Sequence, residues 1–338
     1  MHQATVVSES ERPVTLDQVL GDPWAIAIGP GNILYIHELS ESGDSLLQAY
    51  DLTTGRYLRS VLAKGRGPQE AEFVDRLKVY DNQLHFVDNY TNSFVEVPVR
   101  EAAGIGTPPA EAVRKTPLDN LLADDVIRIN DEIIVKLLAP VDTLFNTTFV
   151  AMDSTGDRRP VGILPELSPE TRSRYPLDKR IKVTAFAALA GRRPNGANYA
   201  LAYRYTDRVE FYDTDHRLMH SVSGPDRFEP YFTTQQKDNG VSRQMIDDIT
   251  RIGFLSVASN ADHLYCLYSG KVVYPTQKPA GYDPGSGSRI FKFDWETGEL
   301  VAMIATTQPL TQIAIGSEAN VIYGISHEND TQLIKITY

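Results

Sequence analysis

Cysteine is almost absent from this sequence, because the 338 residues contain only one, Cys266. A single cysteine excludes an internal disulfide, so cysteine usage leaves the redox compartment open. Cys266 lies in the apolar run 264–268. That setting predicts a buried structural thiol and not a nucleophile.

Long apolar runs and an excess of basic residues are also missing. No stretch of about 18 apolar residues occurs, so we predict no transmembrane helix. The 33 Lys and Arg residues against 44 Asp and Glu residues give a net charge of -11, which argues against nucleic acid or an anionic membrane surface as a partner. Residues 1–5 have neither the basic nor the apolar region of a signal peptide. A cytoplasmic protein and an exported one whose signal was removed both remain open.

The sequence does contain a repeat, in which an Asn or Asp turn residue precedes a β-rich run. The six copies begin at residues 32, 82, 131, 198, 262 and 320. Their spacing of about 50 to 67 residues is typical of propeller blades with loop insertions. The hydrophobic content of 42% is enough for a sizeable core. We therefore predict an all-β, single-domain protein (1–338), a six-bladed β-propeller of four-stranded antiparallel blades.

The repeat places the blades at 24–62, 73–118, 125–164, 183–223, 254–305 and 313–338. The last of these has room for only three strands. An open ring would leave unpaired backbone groups at its seam, so we expect an N-terminal strand at residues 4–7 to complete this blade.

Three segments interrupt the repeat: 165–182, 224–252 and 274–288. The first is basic and includes Arg172, Arg174 and Lys179. In the second, Ser242 is a possible N-cap for one or two helical turns over 242–251. Long loops in compact domains are either functional or merely tolerated, and on a propeller they gather on the faces of the disc.

Five short pieces of the chain carry a family pattern: Lys-Gly-Arg-Gly-Pro-Gln-Glu at 64–70, Tyr-Arg-Tyr-Thr-Asp at 203–207, Gly-Pro-Asp-Arg-Phe-Glu-Pro-Tyr-Phe at 224–232, Tyr-Ser-Gly-Lys at 268–271 and Phe-Asp-Trp at 293–295. With them the chain resembles the TolB-like six-bladed β-propeller proteins, many of them predicted lipoproteins of Gram-negative gut bacteria. The first piece departs from the usual Gly-Pro-Gly-Glu-Phe ending. The resemblance implies an exported, lipid-anchored protein of the periplasm or cell surface. The family has no assigned activity, so no catalytic residue is carried over.

Pieces 65–70, 224–232 and 268–271 should share one face of the disc with the insertion 165–182, because inter-blade connections and the turns between second and third strands lie at the same end of a meander. We predict that this face is a ligand-binding rim. The candidate contacts are Arg66, Arg174, Tyr175, Asp226, Arg227 and Lys271. The alternative is that these pieces only brace the turns between blades.

The expected function is non-catalytic binding of a partner protein or of a small anionic or carbohydrate ligand. We expect the protein to be a monomer and to bind no cofactor, metal or nucleic acid. The alternative is a metal-dependent hydrolase or lactonase with oxygen ligands in the central channel. Acidic candidates at the blade starts are Asp75 and Asp125, whereas other blades begin with apolar residues. The seven histidines are scattered, and neither a phosphate-binding loop nor a Gly-x-Ser-x-Gly elbow occurs.

Overall fold

The computed structural model describes residues 5–39, 45–99, 113–139, 146–174, 179–194, 196–236, 242–245 and 248–338. Within these ranges the chain forms a ring of six antiparallel sheets, which confirms the predicted six-bladed, all-β propeller. Two N-terminal strands, β1 (Thr5–Val7) and β2 (Ser10–Pro13), come before the first blade.

Each blade is a meander of four strands that runs from the central channel to the circumference. Blade one comprises β3 (Pro23–Gly29), β4 (Ile33–Glu38), β5 (Ser45–Asp51) and β6 (Arg56–Lys64), with the short β7 (Glu70–Ala71) parallel to β6. Blade two comprises β8 (Asp75–Tyr80), β9 (Gln83–Asp88), β10 (Ser93–Pro98) and β11 (Arg114–Pro117). Blade three comprises β12 (Ala123–Ile129), β13 (Glu132–Leu137), β14 (Phe149–Met152) and β15 (Arg158–Val161).

The second half of the ring repeats this order. Blade four comprises β16 (Ala188–Arg192), β17 (Asn198–Tyr203), β18 (Arg208–Asp213) and β19 (Leu218–Ser223). Blade five comprises β22 (Phe254–Ser259), β23 (His263–Tyr268), β24 (Gly287–Asp294) and β25 (Leu300–Leu310). Blade six takes β26 (Gln312–Ile315), β27 (Val321–Ser326) and β28 (Gln332–Thr337) from the C-terminus.

An N-terminal strand completes blade six, as the incomplete last repeat predicted. Its position is shifted from the expected residues 4–7, because β2 is the strand that pairs antiparallel with β28, with Ser10 opposite Thr337. The earlier strand, β1, pairs in parallel with β25 of blade five. The N-terminal segment therefore covers the outer edges of two blades and hydrogen-bonds to both.

The connections between blades hold most of the non-repeat structure. The insertion after blade three contains two short helices, α1 (Pro169–Arg174) and α2 (Lys179–Ala185). The insertion after blade four contains the hairpin of β20 (Thr233–Gln236) and β21 (Ser242–Met245). The helical turns predicted to begin at Ser242 are therefore wrong: this segment pairs with β20, and strand pairing has overridden the local N-cap signal.

The core consists of the apolar faces that neighbouring blades press together. Its largest fully buried side chains are aromatic, among them Trp295, Tyr35, Tyr50, Tyr199 and Tyr268. The burial predicted for Cys266 is confirmed. Burial raises the pKa of that thiol well above its ordinary value. No helix in the described ranges has the length and apolar character needed to cross a bilayer.

Candidate functional site

The two faces of the disc differ in what they carry. We call the face with the inter-blade connections and the turns between second and third strands the loop face, and the opposite one the hairpin face. On the loop face, backbone hydrogen bonds join the inter-blade connections to the turns between second and third strands. Leu138 N–H donates to Leu122 O at 2.8 Å, and Gly253 N–H donates to Arg204 O at 2.6 Å. The first strand of every blade begins at this face, so its opening residues surround the channel entrance.

The channel entrance on the loop face is a cavity of about 730 Å³, which we call the mouth. Blades one to six all contribute to its lining. Charged and aromatic side chains among the lining residues are Trp24, Asp75, Arg76, Asp124, Arg204 and His327. A concave site with a few convergent polar groups is the usual form of a small-molecule site.

A buried carboxylate joins blades two, three and four at the mouth. Arg76 donates from Nε to the Asp124 backbone oxygen at 3.0 Å and from Nη2 to Asp124 Oδ1 at 3.4 Å. Arg204 donates from Nη1 to the same Oδ1 at 3.1 Å. Burial lowers the pKa of Arg76, but the carboxylates of Asp75 and Asp124 more than offset this and hold it above its ordinary value. Two guanidinium groups thus share one carboxylate oxygen.

Arg76 also has an unusual backbone conformation. Its φ is +55°, in the left-handed region that side-chain-bearing residues seldom adopt, and the pairing register of β8 with β9 shifts between Asp75 and Lys78. Such a bulge redirects a side chain, and strained backbone of this kind collects at functional sites. Here it directs the guanidinium of Arg76 towards blade three.

The mouth also carries an aromatic platform, next to Asp75. Trp24 is 42% exposed, and its Nε1–H donates to Asp75 Oδ1 at 3.3 Å. Asn89 Nδ2 donates to Asp75 Oδ2 at 3.1 Å. Phe73 supports the indole, with the ring centroids 6.1 Å apart. Asp75 therefore fixes the orientation of a tryptophan that still presents its ring to solvent.

Below the mouth, the channel contains a second ion pair, between Lys78 and Asp125. Asp125 also accepts hydrogen bonds from the N–H groups of Val126 and Ala190, each at 2.7 Å, so it links blades two, three and four. Burial raises the pKa of Asp125 and lowers that of Lys78, and their mutual attraction opposes both shifts. Asp125 was an acidic candidate for a ligand of a channel metal, and its two carboxylate oxygens are thus engaged in contacts within the fold.

At the hairpin face the channel is bridged by side chains from three blades. Tyr80 of blade two accepts a hydrogen bond from Arg192 N–H of blade four at 2.9 Å. The Arg192 guanidinium lies 5.4 Å from the Tyr80 ring centroid and pairs with Asp81. Ser259 of blade five donates to Arg192 O at 2.7 Å. These contacts narrow the channel at the hairpin face.

Arg66 and Lys271, predicted from sequence as ligand contacts, lie outside the mouth lining. Arg66 is on the connection between blades one and two, with its side chain 80% exposed and its Nε 2.9 Å from Glu72. Lys271 donates to Asp283 O at 2.9 Å and to Ser286 Oγ at 3.1 Å.

Asp226 and Arg227 are adjacent but have different surroundings. Asp226 Oδ2 accepts from Tyr268 OH at 2.7 Å and contacts Arg289 Nη2 at 3.3 Å, and it lies close to Gly270. Arg227 lines a separate cavity of about 460 Å³ beside Asp207, whose Oδ2 accepts its backbone N–H at 2.6 Å.

Of the remaining two candidates, Arg174 ends helix α1 and Tyr175 lies outside the described residues. The structure thus brings Asp226 next to the 268–271 piece and leaves Arg66 apart from both. A ligand-binding role for the six predicted residues stays a prediction.

Only some residues of the mouth were visible in sequence, as blade starts or as part of a family pattern. Trp24 and Asp75 stand where first strands begin, and Arg204 lies in the 203–207 piece. Charged residues at the starts of first strands were the available signal. For the alternative hydrolase, no group of three or more His, Cys, Asp or Glu side chains in the described ranges is placed to hold a metal ion.

Comparison with known protein families shows which family this propeller belongs to. The family described as TolB-like 6-blade propeller-like matches residues 8–316. The chain belongs to this family. The match begins before β2, covers blades one to five and ends just after β26, a strand of blade six.

Among solved structures, this TolB-like propeller is similar in fold to proteins of Bacteroides. A member of the DUF4221 family from Bacteroides vulgatus is 9% identical, with a TM-score of 0.54 over 98% of this chain and 96% of that one. A Bacteroides fragilis protein named for its inferred export is 12% identical, with a TM-score of 0.52 over 99% and 97%. At such identities the likeness concerns the fold. No curated protein sequence matches this TolB-like chain.

Proposed function

We propose that this TolB-like propeller is a non-catalytic binding protein of the cell envelope, which holds a small ligand at the mouth on its loop face. The observation that carries the proposal is the convergence of Asp75, Arg76, Asp124 and Arg204 on one cavity. Charged groups held in fixed positions at a concave entrance are suited to orient a polar ligand.

Exposed apolar side chains at the same entrance support this location. Trp24, Leu122 and Leu138 all line the mouth and are 42%, 54% and 40% exposed. Large apolar side chains gathered around one polar cavity are typical of ligand-binding surfaces. The bridge of Tyr80 and Arg192 at the other end of the channel favours entry from the loop face.

A cell-envelope location is supported by the family and by the exported-protein name of one structural relative. Fractionation of the native host tests it directly. Recovery of the full-length protein in the membrane and periplasmic fractions is expected. Recovery with the cytoplasmic enzymes would contradict the location and leave the binding site untouched.

The binding proposal is tested by thermal shift with separate pools of saccharides, dicarboxylates, dipeptides and nucleotides, and with calcium alone. We expect at least one organic pool to raise the melting temperature of the wild type and not that of Arg204→Ala. Arg217→Ala is the matched control, because Arg217 is an exposed arginine paired with Asp215 in a turn of the hairpin face.

Three results would contradict the proposal. The first is a shift that Arg204→Ala leaves unchanged, and the second is no shift with any organic pool. The third is turnover of a pooled compound in the presence of calcium, which would favour the metal-dependent hydrolase.

A further inference from the structure

One polar atom at the mouth has no partner. Asp124 is 4% exposed, and its Oδ2 accepts no hydrogen bond from any described residue. Its other carboxylate oxygen, Oδ1, is held by Arg76 and Arg204. A buried acceptor without a donor has lost the hydrogen bonds that water gave it in the unfolded chain. Asp124 lines the mouth, so a ligand that supplies a donor there would satisfy this acceptor once the side chains that close Oδ2 off from solvent have moved.

A donor stands beside this acceptor. Arg204 is about one-third exposed at its side chain and uses Nη1 for Asp124. Guanidinium groups carry five N–H donors in a fixed planar arrangement, so Arg204 retains donors for a second partner. A ligand that bonds to both Asp124 and Arg204 therefore needs a hydrogen-bond donor on one atom and a hydrogen-bond acceptor on the next.

Trp24 adds an apolar requirement to the same cavity. Its indole is fixed through Nε1 to Asp75 and presents a ring at the mouth. Between the indole and Arg204 the charges alternate in sign along the lining: Asp75, Arg76, Asp124 and Arg204. An extended ligand could contact both a hydrophobic surface and several polar groups.

From these contacts we propose that the ligand is a neutral saccharide, stacked on Trp24, with adjacent hydroxyls donating to Asp124 Oδ2 and accepting from Arg204. This inference rests on the proposed function and names its ligand class. A hydroxyl both donates and accepts, and the C–H face of a pyranose packs on an aromatic ring. A free carboxylate would meet the carboxylates of Asp75 and Asp124 in a chain of net charge -11. An ammonium group donates but cannot accept from Arg204.

The test is isothermal titration of the full chain with neutral oligosaccharides of glucose, mannose, galactose and N-acetylglucosamine. We expect binding of at least one of them. Trp24→Ala should weaken it about tenfold or more, the scale of one lost stacking contact. Trp24→Phe should retain most of the affinity, because it keeps an aromatic face. Arg204→Ala should also weaken the binding of the same saccharide.

Tyr274→Ala serves as the matched control, because Tyr274 is an exposed aromatic residue of the loop face outside the mouth lining. Unchanged melting temperatures of the free variants exclude unfolding as the cause.

Failure of all the neutral saccharides, or binding that Trp24→Ala does not alter, overturns the inference. If dipeptides or dicarboxylates bind instead and Arg204→Ala abolishes their binding, the mouth remains a binding site and only its ligand class is wrong. If no compound shows Arg204-dependent binding, both the ligand class and the proposed function fail.

Discussion

The phenolic oxygen of Tyr80 in blade two accepts a hydrogen bond from the backbone N–H of Arg192 in blade four, at 2.9 Å and 112 residues away along the chain. The tyrosine is 6% exposed and the arginine also 6%. Burial raises the pKa of Tyr80 to about 12, so the phenol is protonated at any physiological pH. The bond connects two blades that are not neighbours in the ring.

Tyr80→Phe should destabilise the ring, because it leaves a buried backbone N–H of Arg192 without its acceptor. We expect a loss of about 1–3 kcal/mol in the free energy of unfolding. Urea unfolding measures it. Tyr90→Phe, at a 72% exposed tyrosine, is the control and should change little. Equal stability of the two variants would show that the Tyr80 contact contributes nothing.

The two N-terminal strands can be separated by truncation. Deletion of residues 1–7 removes β1 and uncovers only the outer edge of blade five. Deletion of residues 1–13 also removes β2 and leaves blade six with three strands. The longer deletion should lower the free energy of unfolding by a further 2–4 kcal/mol or so, the scale of a lost four-residue pairing. Melting temperatures that are equal for the two truncations would contradict the role of β2.

Glu11 makes stability depend on pH. Its carboxylate accepts from Thr307 N and Thr307 Oγ1, each at 2.7 Å. Burial acts to raise the pKa of Glu11, but these hydrogen bonds, with those from Ser8 and Gln308, outweigh it and lower the pKa. A lowered folded-state pKa means that the stabilisation is present above the unfolded-state value and is lost as pH falls through the folded-state value.

Glu11→Gln should therefore destabilise the protein at neutral pH by about 1 kcal/mol and make little difference in strong acid. Unfolding free energies of both proteins at pH 7 and in the acid range measure this. Curves that stay parallel down to the acid limit would remove Glu11 as the source of the dependence.

Arg76 offers a test of stored backbone strain. Both Arg76→Gly and Arg76→Ala remove the guanidinium contacts with Asp124, but only glycine adopts a φ of +55° freely. The glycine variant should be more stable than the alanine variant by about 1 kcal/mol. Thermal unfolding of the pair gives the difference. A more stable alanine variant would mean that position 76 carries no strain.

The fold was predictable from sequence because blade repeats are local patterns. Each copy of the turn residue and β-rich run reports one hairpin, and six copies imply a closed ring. Strand assignment at the seam was less certain for a physical reason. Residues 5–7 and 10–13 are both extended, and only the register against β25 and β28 distinguishes their partners.

The mouth was not predictable in the same way. Its central contacts join Arg76 to Asp124 and Asp124 to Arg204, residues that are 48 and 80 positions apart. No local sequence pattern encodes that proximity. The bulge that directs Arg76 has a left-handed backbone conformation, but the residue there is not a glycine, so the sequence does not indicate it. The predicted rim drew instead on loop motifs such as 268–271, where Lys271 bonds within its own connection.

Pairing of Ser10 with Thr337 also has a consequence for the order of folding. β2 cannot form these hydrogen bonds until β28, from the other end of the ring, is in place. Contacts this distant in sequence are slow to make, because the intervening chain must be ordered first. Until β28 is ordered, β2 has no partner, and blades one to five form an arc whose ends are not joined. Pairing of β2 with β28, and not the formation of any single blade, is the step that closes the ring.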